Sequence, residues 1–361
     1  VSALLFRRVR EAGFSLPTSV REELARRDRR DRLLALRQAA ELVRFSRLAA
    51  CNGIEFIPLK GVMLSLRLYG DPCLRQSKDI DLMVRPEHLA PMDQILSAEG
   101  YRRTSPPCDL SSKEERIVRR VSHHYSYVHP DRGIEVELHW GASFWTDAQR
   151  DCFWEECGEI AWGGQTFRFP SDEALLAYLI DHGSIHEWMR IKWLLDVVRL
   201  LAVKETFDHD RLRTLLTLFD MERSAWQCGE LMHRLLGVTP PTWMIPPESE
   251  RPSMTPLVNR ALSVIGWSDH EIATAGRRLN GVHRTIYLHR LRPRLPLHAL
   301  LGRLLFTPAD FGVVRIHPKL FFLYPLFRPL FWFWRNFVIH KSRWMRKASA
   351  GADSKPEGDD G

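Results

Sequence analysis

The sequence predicts an α+β chain in which a mixed sheet flanked by helices spans residues 53–145 and a mainly helical region follows. Three observations lead there. Short β-type runs alternate with helical stretches between Asn52-Gly53 and Trp145. Apolar residues return at helical spacing on both sides of that unit. Two of the runs place acidic residues at alternate positions, as a half-buried strand does. The bulk properties agree: 361 residues, 45% apolar and 27% charged, describe a globular chain long enough for about two domains.

Residues 1–52 read as an N-terminal helical segment. From about residue 20, Leu33, Leu36, Ala40, Val43 and Leu48 recur at intervals of three to five between arginines and glutamates. Asn52-Gly53 ends the pattern as a helix C-terminus does. Residues 54–59 form a short strand, Lys60-Gly61 turns the chain, and a helix over 62–69 stops at Gly70-Asp71-Pro72. The next strand, 79–84, sets Asp79 and Asp81 on one face and Ile80, Leu82 and Val84 on the other. Pro86 opens a helix that runs to about Ala98 and is closed by Gly100. Residues 125–128 and 134–138 alternate around the turn Pro130-Asp131-Arg132-Gly133, which makes them a hairpin.

Residues 146–318 form the mainly helical region. A β-like patch at 165–169 precedes Ser171, an N-cap for a long apolar helix, and a proline-rich break covers 240–256. Residues 319–347 interleave aromatics such as Phe331, Trp332, Phe333 and Trp334 with Arg328, Arg335, Lys341 and Lys347. Such a segment suits packing onto the helical region, a membrane surface or a nucleic acid. Residues 348–361 lack any apolar anchor and read as a disordered tail.

The net charge of +8 and a pI near 9.3 suit an anionic partner without naming one. Six cysteines at 51, 73, 108, 152, 157 and 228 give neither a disulfide framework nor a closed zinc set. The arginine-rich start does not read as a secretory signal, and no apolar run reaches the ~20 residues that cross a bilayer. The expected location is cytoplasmic, with the inner membrane face as the variant that residues 319–347 suggest.

The chemistry concentrates in Lys78-Asp79-Ile80-Asp81-Leu82. Two carboxylates on one strand face repel each other unless a cation lies between them, and magnesium takes such hard oxygen ligands. Acidic pairs at a strand end often mark only a solvated edge. Glu135 and Glu137, set between Ile134, Val136 and Leu138 with His139 on the same side, argue for a third ligand instead. Upstream, Lys60-Gly61 opens a helix, a place where backbone amides and the helix dipole hold phosphate.

Leu59-Lys60-Gly61, Leu68-Tyr69-Gly70-Asp71-Pro72, Arg75, Asp79-Ile80-Asp81-Leu82-Met83-Val84, Gly100-Tyr101 and Glu137-Leu138-His139-Trp140 together resemble the bacterial uncharacterised nucleotidyltransferase family of the polymerase-β-like superfamily. The resemblance continues through His182-Gly183-Ser184-Ile185-His186-Glu187-Trp188 and Lys192-Trp193-Leu194-Leu195-Asp196, and covers residues 40–340. It implies a polymerase-β-like nucleotidyltransferase core. The implied reaction moves an NMP from an NTP to an acceptor hydroxyl or phosphate and releases pyrophosphate.

In that resemblance Asp79 and Asp81 match the metal-binding pair. Glu137 matches the third carboxylate, which helps hold a second ion and deprotonates the acceptor. Two Mg²⁺ ions are implied, with Mn²⁺ as the substitute. Lys60-Gly61 stands where the superfamily has Gly-Ser, so the lysine charge replaces a serine hydroxyl. Arg75 and Lys78 are candidates to neutralise triphosphate charge, and Lys192 is a candidate nucleotide contact. The acceptor classes are a polysaccharide precursor, a small molecule, a protein or a tRNA end.

Other signals are weaker. His182 and His186 have metal-like i,i+4 spacing but no third ligand nearby, which favours packing or hydrogen bonding. Lys192 and Asp196 have the spacing of a helical salt bridge. Trp188 and Trp193 read as core, and His123 and His124 as structural or acceptor-side. The competing functional readings are a catalytically silent nucleotide- or RNA-binding module and a membrane-peripheral interaction protein working through residues 319–347.

Overall fold

The computed structural model describes residues 2–106, 110–204, 206–268, 271 and 280–295, with isolated positions at 323, 326, 327 and 330. The aromatic-basic segment, apart from those four positions, and the tail therefore lie outside the described residues. The architecture is α+β, as the sequence predicts. Helices α1 (Ser2–Glu11) and α2 (Thr18–Cys51) lead into a five-stranded mixed sheet.

The sheet comprises β1 (Phe56–Pro58), β2 (Asp79–Val84), β3 (Arg102–Ser105), β4 (His124–Val128) and β5 (Glu135–His139), in the order β1-β2-β5-β4-β3. Only β2 and β5 run parallel; the other neighbours are antiparallel. Helix α3 (Gly61–Tyr69) links β1 to β2, and α4 (Leu89–Ala98) follows β2 after a short 3₁₀ turn at Pro86–His88. The expected hairpin is β4–β5, closed by Gly133 N–H to His129 O and His129 N–H to Ile134 O, both 2.9 Å.

Strand β3 and helix α5 (Ser112–Val121) were not among the expected elements. Arg102-Arg103-Thr104-Ser105 has no apolar alternation because it is a mostly exposed edge strand. Six of the ten residues of helix α5 are charged, and it starts on a capping box formed by Ser111 and Glu114.

Helix α2 buries Ala35, Ala39, Leu42, Phe45 and Ala49. The stripe read from the sequence is rotated from this one: Leu33 and Leu36 are exposed. The second half of α2 is apolar on a wide arc, so spacing alone does not select the face. The fully buried ring of Phe45, 5.5 Å from Tyr101, does.

After Trp145 come α6 (Asp147–Glu155), a hairpin of β6 (Cys157–Trp162) and β7 (Gln165–Pro170), and then helices. These are α7 (Asp172–Ile185), α8 (Ile191–Val203), α9 (His209–Leu218), α10 (Glu222–Leu236), α11 (Arg251–Val264) and α12 (Asn280–Leu291). The hairpin packs on the sheet through Phe56 and Phe167, whose rings are 6.2 Å apart, and one apolar core runs from Ala39 to Ala261. Ser171 caps α7 by accepting from Ala174 N–H. The proline break is shorter than expected. Helix α11 begins at Arg251 with Pro252 in its first turn, where no intrahelical donor is lost, and Pro256 is carried inside it.

Gly183 lies inside α7 against the fully buried Trp188. A Cβ there would come within 2.3 Å of the indole, whose Nε1–H is fixed on Gln227 Oε1 at 3.0 Å. Gly183→Ala is expected to cost about 1–3 kcal/mol by overpacking, read as a lower urea midpoint.

Candidate active site

In the parallel β2–β5 pair Asp79 stands beside Glu135, Asp81 beside Glu137, and Met83 beside His139. Strand β4 adds His124 opposite His139 and Ser126 opposite Glu137. Alternation does the rest: Ile80, Leu82, Val136 and Leu138 go into the core, and the acids and imidazoles share the other face.

Lys60, immediately before α3, reaches this face. Its Nζ lies 3.0 Å from Asp81 Oδ1, with the Asp81 side chain fully buried. Gly61, at φ +64°, lets the chain turn directly from that lysine into the helix. His139 Nε2 bridges the two acids, 3.2 Å from Asp81 Oδ1 and 3.3 Å from Glu137 Oε2. His124 Nε2 lies 3.8 Å from the other oxygen of Glu137. Asp79 accepts from Ser77 Oγ–H at 3.3 Å.

These contacts set the protonation states. Burial opposes charge on Asp81, but Lys60 and His139 outweigh it and hold the carboxyl well below its ordinary range. Burial likewise opposes charge on Lys60, yet Asp81 raises its ammonium above the ordinary lysine value. Glu137 is pulled down to about 2 against burial by the His139 hydrogen bond and the nearby His124. Asp79 is pushed up to about 6 by burial and by its neighbour Asp81. Burial takes His124 down to about 4.

His139 is raised from 6.5 to about 9 because its hydrogen bonds to Asp81 and Glu137 overcome burial. The folded state then binds this proton more tightly than the unfolded chain. Its stabilisation is complete below about 6.5 and is lost as the pH climbs through about 9. In chelator, the urea midpoint is expected to fall across that interval, and His139→Gln to remove this part of the slope.

Asp81 Oδ2 is buried without a hydrogen-bond partner, and Asp81, Glu137 and His139 offer ligand atoms within 4.8 Å of one another. An unsatisfied anionic oxygen in such a group fits a bound cation. Among the described residues Asp79 is not part of that three-atom grouping.

The other predicted residues fall in two sets. Arg75 is buried, and its guanidinium is engaged by Asp196 of α8, with Nε 2.9 Å from both carboxylate oxygens and Nη2 2.9 Å from Oδ2. Its Nη1 is buried and unpartnered. Lys78 lies on the exposed side, 2.9 Å from Glu135. Lys192 Nζ–H donates to Gln76 O at 3.2 Å, and burial with the neighbouring Arg75 draws it down to about 8. Asp196 therefore pairs with Arg75 rather than forming the i,i+4 bridge with Lys192.

His182 and His186 cluster with Trp193 in tilted and edge-to-face contacts. Their centroids are 4.7 Å apart, and Trp193 lies 4.9 and 5.4 Å away. Neither joins a three-ligand grouping among the described residues. Sequence reasoning had assigned no role to His139 as a bridge between carboxylates. Its place two residues after Glu137 gave the face; the reach of its ring to β2 depended on the parallel pairing.

Residues 1–237 match a family model described as uncharacterised nucleotidyltransferase. Two solved structures are weakly similar. One is an antigenic nucleotidyltransferase-like protein from Paracoccidioides brasiliensis, at 17% identity over 52% of this chain and 87% of that one, with a TM-score of 0.33. The other is the antibiotic-resistance factor ANT(2'')-Ia, at 16% identity over 57% and 98%, with a TM-score of 0.34. Likenesses at that level carry no argument about substrate. No curated protein matches the chain. No helix among the described residues is long and apolar enough to cross a membrane.

Proposed function

The chain belongs to the uncharacterised nucleotidyltransferase family, and from that premise we propose that it moves the NMP of an NTP onto an acceptor hydroxyl or phosphate at the β2–β5 face. The observation that carries this reading is the register that sets Asp81 beside Glu137 with Lys60 on the same carboxylate. Asp79, Asp81 and Glu137 are the residues that would hold divalent metal, Mg²⁺ or Mn²⁺. Bound there, the metal would offset triphosphate charge and acidify an acceptor hydroxyl, so that even a weak base such as Glu137 suffices.

The chain's own groups do the positioning. Lys60, Gly61 and the free amides opening α3 receive the phosphates, with Lys192 as a second cation. Arg75 contributes through its remaining Nη1 donor, and Lys78 from the rim. The acceptor enters over β3–β5, where Thr104, Ser126, Val128, Glu135 and Glu137 line a groove of about 310 Å³. Its oxygen attacks the α-phosphorus, the bond to the bridging oxygen breaks, pyrophosphate leaves, and the acceptor proton passes to Glu137.

The test is incubation with α-labelled NTPs, Mg²⁺ and cell extract. Label transfer that disappears in Asp79→Ala supports the reading. Nucleotide binding with no transfer to any fraction would make the protein a silent binding module.

A further inference from the structure

We propose that His123, His124 and His139 form a nitrogen-rich site for a divalent transition metal of the zinc class, separate in ligand type from the carboxylates. The three residues offer ring nitrogens within 4.8 Å of one another. Their ring centroids are 4.6, 5.0 and 5.7 Å apart. Three imidazoles are a poor set for magnesium, which prefers hard oxygens, and a good one for zinc, cobalt or copper.

The backbone is shaped to bring them together. His124 is a strand residue and faces β5. On a regular strand His123 would point the opposite way. A bend at residue 123, held by Trp140 N–H to His123 O at 3.1 Å, swings its ring back beside His124. His123 Nδ1 then sits 3.4 Å from Ser143 Oγ. Metal-bound imidazoles are commonly oriented by an outer polar contact of this kind. His124 Nδ1 is buried and has no hydrogen-bond partner, a polar atom that the fold leaves unsatisfied. His139 also contacts Asp81 and Glu137, so the two sites share a wall.

The experiment uses the full chain, stripped with chelator and then saturated with Mg²⁺ to occupy oxygen ligands. Co²⁺ titration is expected to give one equivalent with a visible d–d band that Zn²⁺ removes. His123→Gln and His124→Gln should each weaken Co²⁺ at least about tenfold, whereas Asp79→Asn should not. X-ray absorption of the Zn²⁺-loaded wild type should show imidazole scattering, a readout independent of how the variants fold. Absence of Co²⁺ binding under saturating Mg²⁺, loss in Asp79→Asn with retention in both histidine variants, or an all-oxygen shell would each overturn the proposal. Each would leave Mg²⁺-dependent label transfer, and the reading built on it, untouched.

Discussion

Asp81→Asn is expected to lower label transfer by about 10³-fold or more. Metal-assisted charge stabilisation is worth several kcal/mol of barrier, and each 1.4 kcal/mol is about tenfold in rate. The same substitution leaves Lys60 and His139 facing a neutral amide in a buried setting, with a stability loss of about 3–5 kcal/mol. These two effects separate experimentally. Lys60→Met combined with Asp81→Asn should recover much of the urea midpoint and none of the transfer. Transfer that survives Asp81→Asn would remove the carboxylates from the mechanism.

The second large effect is expected at the buried ion pair between the loop before β2 and helix α8. Arg75 and Asp196 have side chains only 3% and 2% exposed, so Asp196→Ala leaves a guanidinium without its counter-charge. The expected cost is about 3–5 kcal/mol, measured by urea unfolding. Arg75→Met with Asp196→Leu should return most of it, because two apolar groups need no partner. Arg75 N–H also donates to Ser65 Oγ of α3 at 2.9 Å. The pair thus ties the loop before β2 to both α3 and α8, and Asp196→Ala should weaken nucleotide binding as well. A cost below about 1 kcal/mol would show that solvent reaches the pair.

The parts legible in the sequence were those set by local rules. The alternation of Asp79-Ile80-Asp81-Leu82 fixed which side chains share a face. Asn52-Gly53 and Ser171 marked helix ends that the structure has at the same places. What stayed hidden depended on distant chain segments. Arg75 meets a partner 121 residues away, and Lys60 meets Asp81 across the sheet. No spacing rule connects them. Strand β3 was hidden for another reason: its four charged or polar residues carry no apolar alternation.

The central parallel pairing has a consequence for synthesis. Strand β2 leaves the ribosome well before β5, and until residues 135–139 arrive its inner edge has unpaired amides and carbonyls. An open edge of that kind recruits other chains. Asp79 and Asp81 sit along it, and before β5 docks their mutual repulsion works against stacking with a copy of the same strand. The acids assigned to the proposed site would thus also oppose self-pairing of β2 during translation.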